Sequence, residues 1–448
     1  MRFPISALIV TLSFAAAAPA AQPEQPAPAT AVDRELAGRV ERLVRQLNDD
    51  RAATRDAAEE QLLEMAGTTT VQSDRILKLM PEPKDEMPLA VRDRLTRIRQ
   101  QIEDRAAKSA VAGTTVTLSA EKRPLSVVFN LIDSQTGNRL RDKRDQFGGA
   151  GGGDAVSVAL GFENEPFWPA VDKILDEAKL SVYNYGGEDG LAIVPRGPDD
   201  GPRFGAAAYS GPFRMEILEV QGQRNARQPN RKALKLQLEV AWEPRLRPIA
   251  LSQPAADIAA TDDSGKPILI SQPEAVLDVE VPAGTQAAEI ILPFELPPRD
   301  VKRIATLRGK LKALVPGRQV QFKFTDLVNS ANKTQRSGGV QVTLEAVRRN
   351  NAVWEVHMRF ALDEANRALE SHRGWVFQNV SYLVGADGQR IEQAGMETTR
   401  QTPNEVGVAY VFDLPEGKRI EELTWIYETP AAIVVLPVEY EIKDIDLP

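Results

Sequence analysis

The sequence predicts a multidomain α+β protein: an N-terminal helical segment, a small βαββαββ domain and two tandem antiparallel β-sandwich domains. Apolar residues recur at helical spacing up to about residue 110, and the period then changes to that of a mixed α/β unit. From about residue 213 the sequence contains an internal repeat. The stretches 213–314 and 340–442 share a strand pattern, a Gly-bearing turn and a closing Leu-Pro. A repeat of this domain-sized length favours two β domains over a solenoid.

The first residues predict a secretory signal peptide, residues 1–20. Arg2 precedes an uncharged apolar run over 5–18, and Ala18-Pro19-Ala20 supplies small residues at the cleavage spacing. An uncleaved anchor is the alternative, although the run is short for a membrane span. Residues 21–31 form a Pro/Ala-rich linker. We therefore expect a secreted or periplasmic protein with no transmembrane segment in the mature chain.

Composition limits the cellular compartments and the classes of partner that suit this chain. The chain has no cysteine, so neither a disulfide nor a thiolate ligand can form. A disulfide-free chain of this size fits a bacterial periplasm or envelope better than eukaryotic secretion. The formal net charge is -8, and the acidic and basic residues are interspersed. This balance argues against nucleic acid as the main ligand.

Residues 32–110 are predicted to be helical. The first helix has an apolar face at spacings of four, three and four, and a helix opened by Pro88 has a second such face. These faces consist of Leu36, Val40, Leu43 and Leu47, and of Val91, Leu95, Ile98 and Ile102. The first two helices resemble a HEAT-type hairpin. With so few neighbouring helices, a small bundle is expected rather than a solenoid.

Residues 114–196 are predicted to fold in the order β-α-β-β-α-β-β. Val116-Thr117-Leu118, the helix 124–135 with Phe129 inward, and the later strands 180–185 and 191–194 carry this pattern. In pattern and order the stretch resembles an STN domain, the module found at the N-terminus of secretins and of some TonB-dependent receptors. The resemblance implies a contact domain. Residues 197–209, rich in Pro, Gly and Asp, are predicted to be a linker.

The two sandwiches are assigned to residues 210–335 and 336–448. Apolar residues alternate with polar ones in each, which predicts strands with one buried face. The alternating positions are Leu234, Leu236, Leu238, Val240 and Trp242 in the first copy, and Trp354, Val356, Met358 and Phe360 in the second. The whole arrangement also resembles uncharacterised secreted bacterial proteins that join a helical start, an STN-like module and β-rich repeats.

No motif predicts catalysis, a cofactor or a metal site. The chain has two histidines, His357 and His372, without metal-ligand spacing. The glycine-rich loop 148–153 precedes a strand and not the helix that a phosphate cradle needs. Two S-x-x-K matches, at Ser119 and Ser330, lack the partner motifs of a serine acyl enzyme. Paired carboxylates such as Asp262-Asp263 fit turns better than a catalytic pair. We therefore expect no enzyme.

The remaining candidates are tryptophans. Trp375 and Trp425 are less constrained by alternation than Trp242 and Trp354, and an exposed tryptophan would be an interface residue. The sequence thus favours a non-catalytic envelope protein that acts through protein–protein contacts, as a scaffold or surface-assembly component. One alternative is a polysaccharide-binding or polysaccharide-cleaving envelope protein. Another is an accessory factor of an outer-membrane secretion channel. The sequence identifies neither the partner proteins nor the oligomeric state.

Overall fold

The computed structural model describes residues 31–84, 86–147, 156–186, 190–228, 230–282, 284–362, 374–402 and 404–448. The predicted signal peptide, nearly all of the Pro/Ala-rich linker, the glycine-rich loop and His372 lie outside the described residues. The described part is a mixed α+β protein with six α-helices and mostly antiparallel sheets. Of the described helices, none has the length and apolar character that crossing a bilayer requires.

Four helices form the N-terminal helical unit: α1 (Ala31–Gln46), α2 (Ala52–Ala66), α3 (Thr70–Leu79) and α4 (Leu89–Ala110). The predicted apolar faces meet in one core that includes Val40, Leu62 and Leu95. Helix α2 ends at Gly67, whose φ of 61° lies in the left-handed region that glycine tolerates. The unit is therefore a small bundle, as the apolar spacing indicated.

The α/β module follows, with nine short elements around one core. Its elements are β1 (Thr115–Leu118), β2 (Arg123–Pro124), α5 (Leu125–Thr136), β3 (Leu140–Asp142), β4 (Ser157–Val158), β5 (Phe162–Pro166), α6 (Phe167–Ala178), β6 (Leu180–Tyr183) and β7 (Leu191–Pro195). The predicted elements are present, and β2 and β5 are additional. The strands form three small sheets, β1-β5, β2-β4 and β3-β7-β6, in which β3 runs parallel to β7.

The remaining described residues are mainly β-structure. Its strands are β8 (Ala207–Ser210), β9 (Phe213–Arg224), β10 (Lys232–Trp242), β11 (Ala250–Pro254), β12 (Ala259–Asp262), β13 (Pro267–Ile268), β14 (Val276–Glu280), β15 (Ala287–Phe294), β16 (Arg303–Phe324), β17 (Lys333–Ser337), β18 (Val340–Asn350), β19 (Val353–Leu362), β20 (Val380–Val384), β21 (Arg390–Glu392), β22 (Gly395–Gln401), β23 (Glu405–Phe412) and β24 (Thr424–Asp446). Strand β8 begins within the stretch that the sequence assigned to a linker, residues 197–209.

The strand order of the predicted repeat recurs in two outer sheets. The first sheet has the order β15-β10-β9-β8, and the second sheet has the order β17-β18-β19-β23-β22. Strands β9, β10 and β15 thus correspond in order to β18, β19 and β23. Leu236 and Leu238 face the first β core, whereas Val356 and Met358 face the second.

The two β cores share one long ribbon formed by β16 and β24. These strands pair without interruption of register from Arg303 opposite Asp446 to Phe324 opposite Trp425. One half of the ribbon packs under the first sheet and the other half under the second. The predicted boundary at residues 335 and 336 therefore does not separate two complete sandwiches, because β24 contributes Val438, Tyr440 and Ile442 to the first core.

The inward-facing positions of β16 differ between the two cores. Leu307, Leu311 and Ala313 of β16 face the first core, and Phe322 and Phe324 face the second. Odd-numbered residues of β16 point inward from Leu307 to Val315, and even-numbered residues do so at Phe322 and Phe324. The change falls at Gly317 and Ala432, where the ladder skips one pair and Ala432 has a φ of 51°. Such a backbone irregularity interrupts the alternation of side chains between the two faces of a strand, as a β-bulge does.

The helical unit docks at this irregularity of the ribbon. A Cβ added at Gly317 would lie 2.6 Å from the Cβ of Ala107 on α4 and 3.0 Å from the carbonyl oxygen of Ala432 on β24. Beside this contact, Arg318 forms ion pairs with Asp74 at 3.3 Å and Glu103 at 3.2 Å. Glycine is thus required at this position for the helix to approach the ribbon closely.

A second junction joins three parts of the chain around the fully buried Glu243. Its carboxylate accepts hydrogen bonds from the backbone N–H of Thr114 at 2.7 Å, the side-chain amide of Asn138 at 3.1 Å and the guanidinium of Arg245 at 2.8 Å. Arg245 also donates to the carbonyl oxygens of Ala110, the last residue of α4, and of Ala112 just beyond it. The end of the helical unit, the α/β module and β10 therefore meet at one carboxylate.

Candidate interaction surface

Exposed aromatic side chains are concentrated on the α/β module. Within the described ranges four aromatic side chains are exposed, Phe147, Tyr183, Tyr185 and Phe204. Three of them form one aromatic cluster: the ring centroids of Phe147 and Tyr183 are 5.6 Å apart, and those of Tyr183 and Tyr185 are 6.2 Å apart. Contiguous exposed apolar surface is uncommon on soluble proteins and marks contact sites.

Local structure explains why these rings meet. Tyr183 is the last residue of β6 and stands opposite the small, buried Ala192 on β7. Tyr185 follows two positions later. Phe147 ends a short 3₁₀ helix, Arg144–Phe147, which packs on β7 and is anchored by the ion pair between Arg144 and Asp142 at 2.6 Å. Because Ala192 is small, the 3₁₀ helix and the tyrosines can converge over it.

The aromatic cluster reaches the seam between the α/β module and the first sheet. The hydroxyl of Tyr185 donates to Glu289 on β15 at 2.8 Å. The backbone N–H of Gln286 donates to the carbonyl oxygen of Asn184 at 2.9 Å. Burial, followed by the hydrogen bond to Glu289, raises the pKa of Tyr185, so the phenol stays a donor at neutral pH. One edge of the cluster is thus fixed to a second structural unit.

Three strands of the first sheet place three carboxylates in one row under this seam. Glu239 on β10 pairs directly with Glu216 on one side and with Glu289 on the other. Like charges directly opposite one another destabilise a sheet unless they are compensated. Here Arg214 pairs with Glu216 at 2.6 Å, and Tyr185 donates to Glu289. Burial raises the pKa of Glu239, whose side chain bonds that of Asn184.

The centre of the seam is Asp172 on α6, which is fully buried. Its two carboxylate oxygens accept from Arg203 at 3.0 Å, from Arg214 at 2.7 Å and from the hydroxyl of Tyr209 at 2.7 Å. One helical turn further on, Asp176 accepts the backbone N–H groups of Arg203 and Phe204 at 2.7 and 2.8 Å. The predicted linker is therefore bound along α6, because both carboxylates satisfy its polar groups.

Trp168 completes the packing of this seam. Its indole N–H donates to the carbonyl oxygen of Pro212 at 3.0 Å, and its ring is buried in the core of the α/β module. Ala241 of β10 and Ala287 of β15 belong to the same core. The α/β module and the first sheet thus share apolar contacts as well as ion pairs, so the aromatic cluster stands on a fixed support.

The structure places the two predicted interface tryptophans in the second β core. Trp425 is fully buried, with its centroid 5.2 Å from that of Phe324, and its indole N–H donates to the hydroxyl of Ser381 at 2.9 Å. Trp375 is 8% exposed and meets the ring of Phe360 edge-on at 5.4 Å. The interface prediction for Trp375 and Trp425 is corrected, because each large ring is covered by the core that it fills.

The other candidate residues occupy structural roles. His357 lies 2.9 Å from Glu355, its neighbour two positions back on β19. The Oδ1 of Asp262 accepts from the backbone N–H groups of Ser264 and Lys266 and from the Ser264 hydroxyl, and so closes the turn before Gly265. Ser330 is buried and donates to the carbonyl oxygen of Thr325 at 2.8 Å. In the part of the chain that the structure describes, no group of three or more potential ligands could hold a metal ion.

The sequence contained one signal for the aromatic cluster that its interpretation did not use. Tyr183 and Tyr185 are two positions apart in the predicted strand 180–185, so their side chains can point the same way. Phe147, however, is separated from them by a helix and several strands. Only the packing of the 3₁₀ helix on β7 brings it to the tyrosines. No family model, no curated protein and no solved structure matches this chain.

Proposed function

We propose that this chain is a non-catalytic secreted or periplasmic envelope protein that binds other proteins and acts as a scaffold. The observation that carries the proposal is the aromatic cluster of Phe147, Tyr183 and Tyr185 on a firmly joined frame. Tyrosine and phenylalanine are enriched at protein–protein interfaces because they bury a large area at a small cost in side-chain entropy.

The tilt of the rings favours a protein partner over a glycan. The planes of Phe147 and Tyr183 are inclined by 51°, and those of Tyr183 and Tyr185 by 71°. Rings inclined in this way form walls between which an apolar side chain can insert, as in the centre of an interface. The polysaccharide alternative expected exposed Trp375 or Trp425 beside paired carboxylates, and both tryptophans are buried.

The joined frame supports a scaffold role. A binding surface holds its shape when the residues beneath it are locked by packing and hydrogen bonds. Asp172 and Glu243 join the α/β module to the first sheet, and Arg318 joins the helical unit to the ribbon. A partner bound at the aromatic cluster would then be held at a fixed orientation to the rest of the protein.

Crosslinking in the native envelope, followed by mass spectrometry, tests the proposal. The variant Phe147→Ser with Tyr183→Ser removes two rings but keeps Tyr185 and its bond to Glu289. The control, Phe204→Ser with Leu269→Ser, removes two exposed apolar side chains outside the aromatic cluster. Truncating central anchors typically costs more than about 1 to 2 kcal/mol each, so we expect the first variant to lose partner yield by at least roughly tenfold.

The proposal requires that wild type and control capture the same partners, with crosslinks at or beside the aromatic cluster. Equal yield from all three proteins would move the binding surface elsewhere. A purified wild-type protein that captures no envelope partner and instead turns over a peptide or glycan substrate would overturn the non-catalytic assignment.

A further inference from the structure

A second surface is distinguished by charge. The stretch 220–238 contains five cationic side chains and no carboxylate, in a chain whose formal net charge is -8. The cations are Arg224, Arg227, Arg231, Lys232 and Lys235. We call this stretch the basic hairpin. The stretch 301–325 also has cations and no carboxylate, but its Arg303, Arg308, Lys310 and Arg318 form ion pairs with carboxylates elsewhere in the chain.

The basic hairpin projects beyond its sheet. Strand β10 pairs with β15 only from Leu234, opposite Phe294, onward. The pairing of β9 with β10 continues past that point to Arg224 opposite Lys232. At the tip, the side chain of Asn225 accepts the backbone N–H groups of Arg227 and Gln228, both at 2.9 Å. The described residues 224–228 and 230–232 are exposed, and Asn225 fixes the backbone at the start of the turn.

In the described part of the chain, no ion pair neutralises the cations of the basic hairpin. Among the described residues, the contact made by these five side chains is a long hydrogen bond of 3.5 Å from Arg224 to the carbonyl oxygen of Pro297. Carboxylates do line the groove beside Lys232, namely Asp262, Asp263, Glu295 and Asp300. Asp262 is already bonded within its turn and Asp263 pairs with Arg303. The hairpin therefore has charges of both signs around Lys232. Arg224, Arg227 and Arg231 lie on the part of the hairpin that extends beyond the pairing of β10 with β15.

We propose that the tip of the basic hairpin docks on the anionic headgroups of a lipid surface. Clusters of lysine and arginine are attracted to negatively charged membranes, each by about 1 kcal/mol when it lies near the surface. The tip sequence contains no large apolar side chain, so contact is electrostatic and stops at the headgroups. The chain's overall negative charge repels a polyanion that would wrap around it, but a projecting tip can meet a flat surface.

Nucleic acid is the less suitable occupant. Proteins that bind single strands stack bases on aromatic side chains beside the cations. The basic hairpin has no aromatic residue between 220 and 238, and the aromatic cluster belongs to a different structural unit. Duplex binding requires a broad basic surface that neutralises many phosphates, and three arginines at one turn supply only a few.

Vesicle sedimentation with the full mature chain tests the inference. The probes are vesicles of phosphatidylcholine alone and of phosphatidylcholine with an equal part of phosphatidylglycerol, at low and at high salt. Duplex and single-stranded DNA are measured in parallel as competing polyanions. The test variant is Arg224→Gln, Arg227→Gln, Arg231→Gln. The control variant, Arg39→Gln, Arg42→Gln, Lys78→Gln, removes three exposed cations of the helical unit and changes the net charge equally.

Wild type and control are expected to sediment with the anionic vesicles at low salt and to be released at high salt. The test variant should bind on the order of a hundredfold more weakly, because three cations leave the surface. Equal loss of vesicle binding in both variants would show that net charge, and not the basic hairpin, determines binding. Absence of wild-type binding, binding that survives high salt, or tighter binding to duplex or single-stranded DNA than to vesicles would each overturn the assignment. Matching thermal unfolding of the three proteins confirms that folding is unaffected.

Discussion

Asp172 shows how much of the molecule depends on single buried carboxylates. It is fully buried and pairs with both Arg203 and Arg214, and the hydroxyl of Tyr209 donates to it. Removing one member of a buried ion pair typically costs about 3 to 5 kcal/mol, because the remaining charge is left without a partner. The group therefore specifies how α6 sits on the first sheet, whether or not it adds net stability.

Glu239 makes stability depend on pH in the opposite sense to most acidic residues. It is 7% exposed, and burial raises its pKa above the ordinary value of 4.5. As the pH rises, the carboxyl of Glu239 therefore loses its proton at a lower pH in the unfolded state than in the folded state. The contribution of Glu239 is complete below about pH 4.5 and is lost as the pH rises through the raised folded pKa. We expect Glu239→Gln to increase stability at neutral and alkaline pH.

Urea unfolding of the wild type and of Glu239→Gln at several pH values checks this. The difference in midpoint should grow from acidic to alkaline pH, since only the wild type carries a charge to be desolvated. Glu219→Gln, at an exposed position on the neighbouring strand β9, should show no such growth. A constant difference between Glu239→Gln and the wild type across pH would contradict a raised pKa at this position.

At the scale of elements, the position of α4 on the ribbon depends on the close contact between Gly317 and Ala107, near the end of α4. The Cβ of a larger residue would lie 2.7 Å from the Cα of Ala107, closer than side chains pack. We expect Gly317→Val to push α4 off the ribbon and to raise amide hydrogen exchange in the last turns of α4. The destabilisation should be at least about 1 to 3 kcal/mol, as for other overpacked sites.

Gly38→Ala is the matched control for Gly317→Val. Gly38 lies inside α1, and a Cβ there meets nothing within 4 Å. Alanine at a helix interior is favoured over glycine by about 0.5 to 1 kcal/mol, so this change should stabilise the helical unit. If both substitutions left the exchange of α4 unchanged, the close contact at Gly317 would not be what positions the helix.

The elements themselves could be predicted from sequence to a large extent. The apolar faces built on Val40 and Leu95, the helix around Phe129 and the alternation of Leu236 and Leu238 are local patterns, and the structure confirms them. The burial of Trp425 could not be predicted in the same way. It is set by residues far away in the chain, Phe324 and Ser381, which only strand pairing brings near.

The ribbon was missed for a related physical reason. Alternation reports which face of a strand is buried over a few residues, but it does not report the partner strand. In β16 the inward positions change from odd, as at Ala313, to even, as at Phe322. Such a change looks like the end of one strand and the start of another. The length of the pairing with β24 removes that ambiguity.

At the scale of the whole molecule, the shared ribbon makes the two halves of the β region interdependent. A chain ending at residue 335 keeps the first sheet and β16 but loses Val438, Tyr440 and Ile442 from the first core. Burial of each such side chain is worth about 1.5 to 3 kcal/mol, so together they contribute roughly 5 to 9 kcal/mol. That amount is comparable with the total stability of a typical domain, about 5 to 15 kcal/mol.

We therefore expect a fragment of residues 21–335 to aggregate or to unfold without a cooperative transition when it is expressed alone. Co-expression with residues 336–448 should restore a soluble complex, because β16 and β24 can still pair along their whole length. Size-exclusion chromatography and urea unfolding of the two preparations measure this. A fragment 21–335 that is monomeric and unfolds cooperatively by itself would show that the first core closes without β24, and the two halves would then be separate domains.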